Sequence, residues 1–132
     1  LMWISNIEPA VFARVKAYGE VLRKNFPDIV FTTDNESDTP AKFPTVLVEE
    51  ITGAEQGRDL EGTTVNAYLS SFQISIAHND KKSHVRTIMD NCMETMKKLR
   101  FEIVGTPIYS RSEGVWTGVA RFRRTIGSGD TF

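Results

Sequence analysis

The sequence predicts an α+β domain in which a largely antiparallel β-sheet packs one face against two helices, in the order α-β-β-β-α-β-β. Two observations carry this expectation. Two segments repeat apolar residues every three to four positions, and five short runs rich in β-branched and aromatic residues are set apart by glycine, proline and polar punctuation. Size supplies a bound: 132 residues, 40% hydrophobic and 25% charged, hold material for one core and not two. Residues 1–126 are therefore read as a single domain and 127–132 as a flexible tail.

The first helix is expected from Ile7 to Phe26, with Ile7, Val11, Val15, Tyr18 and Leu22 along one face. Ser5 and Glu8 have capping-box spacing, and Pro9 falls in the first turn, where its missing N–H has no helical partner to lose. Asn25-Phe26-Pro27-Asp28 ends the helix. A short strand, Ile29 to Thr33, is followed by a polar loop, Asp34 to Lys42, and a second strand from Pro44 to Thr52. Gly53 to Thr63 reads as a long polar loop. A third strand, Thr64 to His78, alternates Tyr68, Phe72, Ile74 and Ile76 with Ser71, Gln73 and Ser75. The second helix, Lys81 to Leu99, carries an unbroken stripe of Val85, Ile88, Met89, Cys92, Met93, Met96 and Leu99, with Asn79 and Asp80 as N-cap candidates. Strands at Phe101–Thr106 and Gly114–Ile126, separated by the turn Ser110-Arg111-Ser112-Glu113, close the domain.

The third strand is long for such a domain. About 14 residues at ~3.3 Å each span roughly 46 Å, against a diameter of about 36 Å for a compact chain of this size. Such a strand either bends at a bulge near Ser70-Ser71 or overhangs as a hairpin tip that meets a neighbour.

Charge and composition exclude several classes. With 16 Lys+Arg against 17 Asp+Glu the net charge is −1, which lacks the basic footprint of a non-specific nucleic-acid binder. One cysteine makes neither an internal disulfide nor a thiolate metal cage. The N-terminal residues have no basic segment leading into an apolar core, and no apolar run approaches the ~20 residues of a membrane span, so a soluble protein with no membrane partner is expected.

Candidate chemistry is sparse. His78 and His84, six residues apart at a strand-helix junction, are not spaced to point both rings at one ion, so no metal site is expected. Cys92 and the methionines belong to the helix stripe and read as core. Glu49 and Glu50 adjoin on a strand and face opposite ways, and no glycine-rich phosphate cradle is present. Neither catalytic residues nor a cofactor are expected. Arg121, Arg123 and Arg124 form the densest basic cluster; alternation puts Arg121 and Arg123 on the face of Val119, and Arg124 with Trp116 and Phe122. An α-β-β-β-α order with Lys81-Lys82 opening the second helix also resembles, over the first hundred residues, a double-stranded RNA-binding domain, which is the alternative reading.

A fuller pattern runs over residues 7–126. The helix ending Lys24-Asn25-Phe26-Pro27, the strand opening Ala41-Lys42-Phe43-Pro44-Thr45-Val46, the pair Glu49-Glu50, and Ser71-Phe72-Gln73-Ile74-Ser75-Ile76 come first. Asn79-Asp80-Lys81-Lys82, Leu99-Arg100-Phe101 and Ala120-Arg121-Phe122-Arg123 follow. In this the chain resembles the tail-completion or tail-terminator proteins of long-tailed bacteriophages. That resemblance implies a structural virion protein of the tail neck, assembled in the host cytoplasm. It would form a homohexameric ring that caps the tail tube and meets the head-tail connector, with DNA only passing through its lumen. A head-to-tail ring joins two unlike patches. Arg58, Asp59 and Glu61 are the candidate loop contacts, and Arg121 and Arg123 the candidate ring or lumen contacts.

Overall fold

The computed structural model describes residues 2–33, 42–58, 65–127, 130 and 132. A four-residue helix α1 (Met2–Ser5) leads into α2 (Ile7–Gly19) and a 3-10 segment, Glu20–Lys24. Then come β1 (Val30–Thr32), β2 (Thr45–Arg58), β3 (Val65–His78), α3 (Lys82–Lys98), β4 (Glu102–Ile103), β5 (Ile108–Ser112) and β6 (Val115–Gly127). The fold is α+β, as the sequence predicts. Six strands form one sheet in the order β1-β2-β3-β6-β4, with β5 also paired to β6. Only β1 runs parallel to its neighbour; the other pairings are antiparallel.

The first helix begins at Ile7 as expected and departs from expectation in its cap and at its C-terminal end. Its α-helical part stops at Gly19 instead of Phe26, and the tighter 3-10 turn lets both Leu22 and Phe26 reach the core. Tyr18 leaves the stripe and is 42% exposed under the Lys98 ammonium, while Gly19 takes the buried place. Gly19 is needed there because the Phe31 ring lies against it; a Cβ would sit 2.3 Å from Phe31 Cζ. The capping box does not form. Ser5 belongs to α1, Asn6 holds the cap position without a side-chain cap bond, and the Glu8 carboxylate instead accepts the Glu50 backbone N–H at 3.1 Å.

Helix α3 buries Val85, Ile88, Met89, Cys92 and Met96, as its stripe predicts. Its N-cap is extended Lys81, one residue beyond the expected Asn79 and Asp80. At the other end Arg100 adopts φ 66°, and the bonds Arg100 N–H to Lys97 O (2.9 Å) and Phe101 N–H to Met96 O (2.9 Å) complete a Schellman motif.

The two helices cover one sheet face, and Val46, Val48, Phe72, Ile74, Ile76, Ala120, Phe122 and Ile126 meet them in a single core. β2 continues to Arg58 through half of the segment expected to be a loop, pairing residue by residue with β3 as far as Arg58↔Val65. A bulge is present, but in β2 between Glu50 and Thr52, opposite Phe72 and Ser71, and not in the long third strand near Ser70-Ser71, which pairs with β6 without a break. The expected turn at Ser110–Glu113 is shorter: Ser110 to Ser112 belong to β5, and Glu113 and Gly114, at φ 52° and 78°, make a two-residue hairpin turn. In the expected tail, Asp130 accepts the Gly127 N–H at 2.8 Å, and Phe132 packs against the core. Residues 34–41 of the first expected loop lie outside the described residues.

Cys92 is wholly buried, and burial pushes its thiol up to about 12. A thiol reagent at pH 8 is therefore expected to leave the native protein unmodified and to label the denatured chain fully, with rates ~10³-fold apart. Labelling of native protein at the denatured rate would contradict the packing of α3.

Candidate functional site

Alternation along the three long strands sorts their residues onto two unlike faces. The face away from the helices carries no helix among the described residues. Across it, register aligns Leu47, Ser75, Val119 and Ile108 in one row, then Glu49, Gln73 and Arg121, then Ser71, Arg123 and Glu102. Ile108 is 69% exposed at the end of the apolar row. Arg121 Nε donates to Gln73 Oε1 at 3.0 Å, and both Arg121 and Arg123 are exposed. Arg123 stands opposite Glu102 at the sheet edge.

The third arginine of the cluster has a different role. Arg124 points into the core side, 8% exposed, and Nη1 donates to Leu99 O at 2.8 Å, at the C-terminal end of α3 where a cation is favoured. Its Nη2 meets Asp130 at 3.3 Å, and the Phe132 ring centroid lies 5.1 Å from the guanidinium. Alternation predicted this division of the three arginines.

β2 offers an open edge beside that bare face. β1 pairs only with Thr45, Val46 and Leu47, and beyond Leu47 no described strand lies along the outer edge of β2. Glu8 takes up one backbone donor there, at Glu50. Arg58 ends the paired part of the hairpin opposite Val65. Asp59 and Glu61 lie outside the described residues, so the predicted set is brought together only as Arg121 with Arg123, two residues apart on one face.

Behind the bulge, Glu50 faces the core side and accepts the Ser70 hydroxyl at 2.6 Å. Burial pushes the Glu50 carboxyl above the usual range, the Ser70 hydrogen bond opposes this, and the Glu8 charge adds to it. A raised carboxyl pKa means the ionised side chain weakens the fold above that pKa, and the penalty is relieved as pH falls through it. Glu50→Gln keeps an acceptor for Ser70, so it is expected to raise stability at pH 7 by ~0.5 kcal/mol. The gain should fade on acidification and vanish below the ordinary value of 4.5. Thermal melts at pH 7 and pH 4 check both signs.

A second cluster was not expected. The turn after β3 folds His84, in the first turn of α3, back onto His78, the last residue of β3. Sequence spacing suggested divergent rings; the structure places His84 Nδ1 at 3.4 Å from His78 Nε2 and 3.6 Å from Asp80 Oδ2. Phe26 meets both rings edge-on, with centroids 5.9 and 5.3 Å away. Burial, then the adjacent His84, hold the His78 imidazole below its ordinary value, with Asp80 pulling the other way. The Lys82 ammonium, in the pair that suggested phosphate binding, lies 5.4 Å over the Trp116 ring and 5.9 Å over that of Tyr109.

No family model matches the sequence, and no curated protein matches it.

Proposed function

We propose that the chain is a structural subunit of a closed homohexameric ring at the head-proximal end of a phage tail, where it ends the tail tube and joins it to the head-tail connector. The observation that supports this most is that, among the described residues, a sheet face without a helix lies beside a β2 edge that no strand pairs beyond Leu47. Unpaired strand backbone beside a mixed apolar and charged face is a surface suited to a second copy. A ring needs two unlike patches that match. The exposed Arg121 and Arg123 form one, and Arg58, Asp59 and Glu61 of the neighbouring copy are the residues proposed for the other. Residues of this kind bind by shape and charge, and the reading assigns the protein no catalytic step and no cofactor. DNA is met only in passage through the lumen.

Light scattering after size exclusion tests the proposal, on the protein alone and with purified tail tubes, alongside negative-stain images. A particle of six copies with a central hole, formed alone or on the tubes, is the expected result. A monomer that ignores tubes at high concentration would overturn it.

A further inference from the structure

We propose that His78, Asp80 and His84 form a binding site for a divalent transition ion of the zinc class, at the junction of β3 and α3. The site does not depend on the ring proposal. Zinc bonds of about 2.0–2.1 Å at tetrahedral angles hold neighbouring ligand atoms about 3.4 Å apart. His84 Nδ1 stands 3.4 Å from His78 Nε2 and 3.6 Å from Asp80 Oδ2, and all three ligand atoms lie within 4.8 Å of one another. An ion between them needs only a small side-chain adjustment, and Asp80, 56% exposed, is free to close the remaining gap.

The donor set also selects the ion. Two imidazole nitrogens and one carboxylate suit zinc and its borderline neighbours better than magnesium or calcium, which want oxygen. Phe26 fixes both rings from the side, so the donors are held by packing before any ion arrives. Three protein ligands leave a fourth position for water, on the side of an open depression that Asp28 also lines. The second shell is incomplete. Nδ1 of His78 is buried with no hydrogen-bond partner among the described residues, and a ligating imidazole normally has one. The expected dissociation constant is accordingly on the order of 10 μM instead of nanomolar.

Bound metal would join the end of a central strand to the start of a core helix and stabilise the native state in proportion to occupancy. The test uses the untagged full chain, stripped with chelator and titrated with Zn²⁺ by calorimetry and with Co²⁺ by visible absorption. One ion per chain, intense Co²⁺ bands of a low-coordinate site and a melting temperature that rises with Zn²⁺ are expected. His84→Gln and Asp80→Asn should each weaken binding at least tenfold while melting like the parent in chelator. No Co²⁺ bands at millimolar ion, or binding unchanged in both variants, would overturn the proposal.

Discussion

The double variant R121E/R123E is expected to remain folded and to lose the proposed ring, appearing as a monomer at concentrations where the proposal has the parent assembling. Both arginines project from the bare sheet face, and only Arg121 makes a described side-chain hydrogen bond, to Gln73. Reversal at Arg123 sets two acids across from each other, since Glu102 is its register partner. A cross-strand clash of that kind costs ~0.5 kcal/mol, small against domain stability of about 5–15 kcal/mol. At the proposed subunit interface the same change would set acid against acid and cost about 2–5 kcal/mol at each junction, or roughly 30- to 5,000-fold in affinity. Light scattering reads the assembly and circular dichroism the fold. A ring that survives the double reversal would remove these arginines from the interface.

Phe72→Ala is expected to cost about 4 kcal/mol and to lower the melting temperature by roughly 15 °C. Phe72 is fully buried on the middle strand of the long ribbon, opposite both Glu50 and Phe122. The Phe101 ring packs against it edge-on, centroid to centroid 5.5 Å at 88°. The full burial of Phe72 on a strand paired on both sides places this truncation at the costly end of its class. A chemical-denaturation midpoint within experimental error of the parent's would show that β3 is not the centre of the core.

How much of this was legible in the sequence depends on how far each residue had to look for its partner. Helix α3 was readable because Val85, Ile88, Met89, Cys92 and Met96 follow the helical period and meet one continuous surface. The inward turn of Arg124 and outward turn of Arg121 and Arg123 followed from strand alternation alone. The capping box was misplaced because the chain before Ile7 is itself helical, which puts Ser5 in α1 and Asn6 at the cap, while Glu8 accepts from Glu50, 42 residues away, a contact no local pattern records. β5 was missed because its exposed edge tolerates Ser110-Arg111-Ser112, which resembles a turn until Glu113 and Gly114 are seen to supply the reversal. The histidine cluster was illegible for a different reason: its convergence depends on the path of three residues between a strand and a helix, and a small change of path would part the rings. Asp59 and Glu61 were chosen for polarity and chain position, and they lie outside the described residues.

The bulge between Glu50 and Thr52 gives Ile51 the part of a shim. Glu50 faces Phe72 and Thr52 faces Ser71, successive residues of β3, so Ile51 has no partner in the ladder. Removing it would preserve every cross-strand pair and keep each flanking residue on its present side. The deletion would instead straighten the ribbon and change the heading of everything beyond, because an unpaired residue on one strand adds bend and twist there. One side chain, 40% exposed and outside the core, thus steers the far end of the hairpin without contributing a rung.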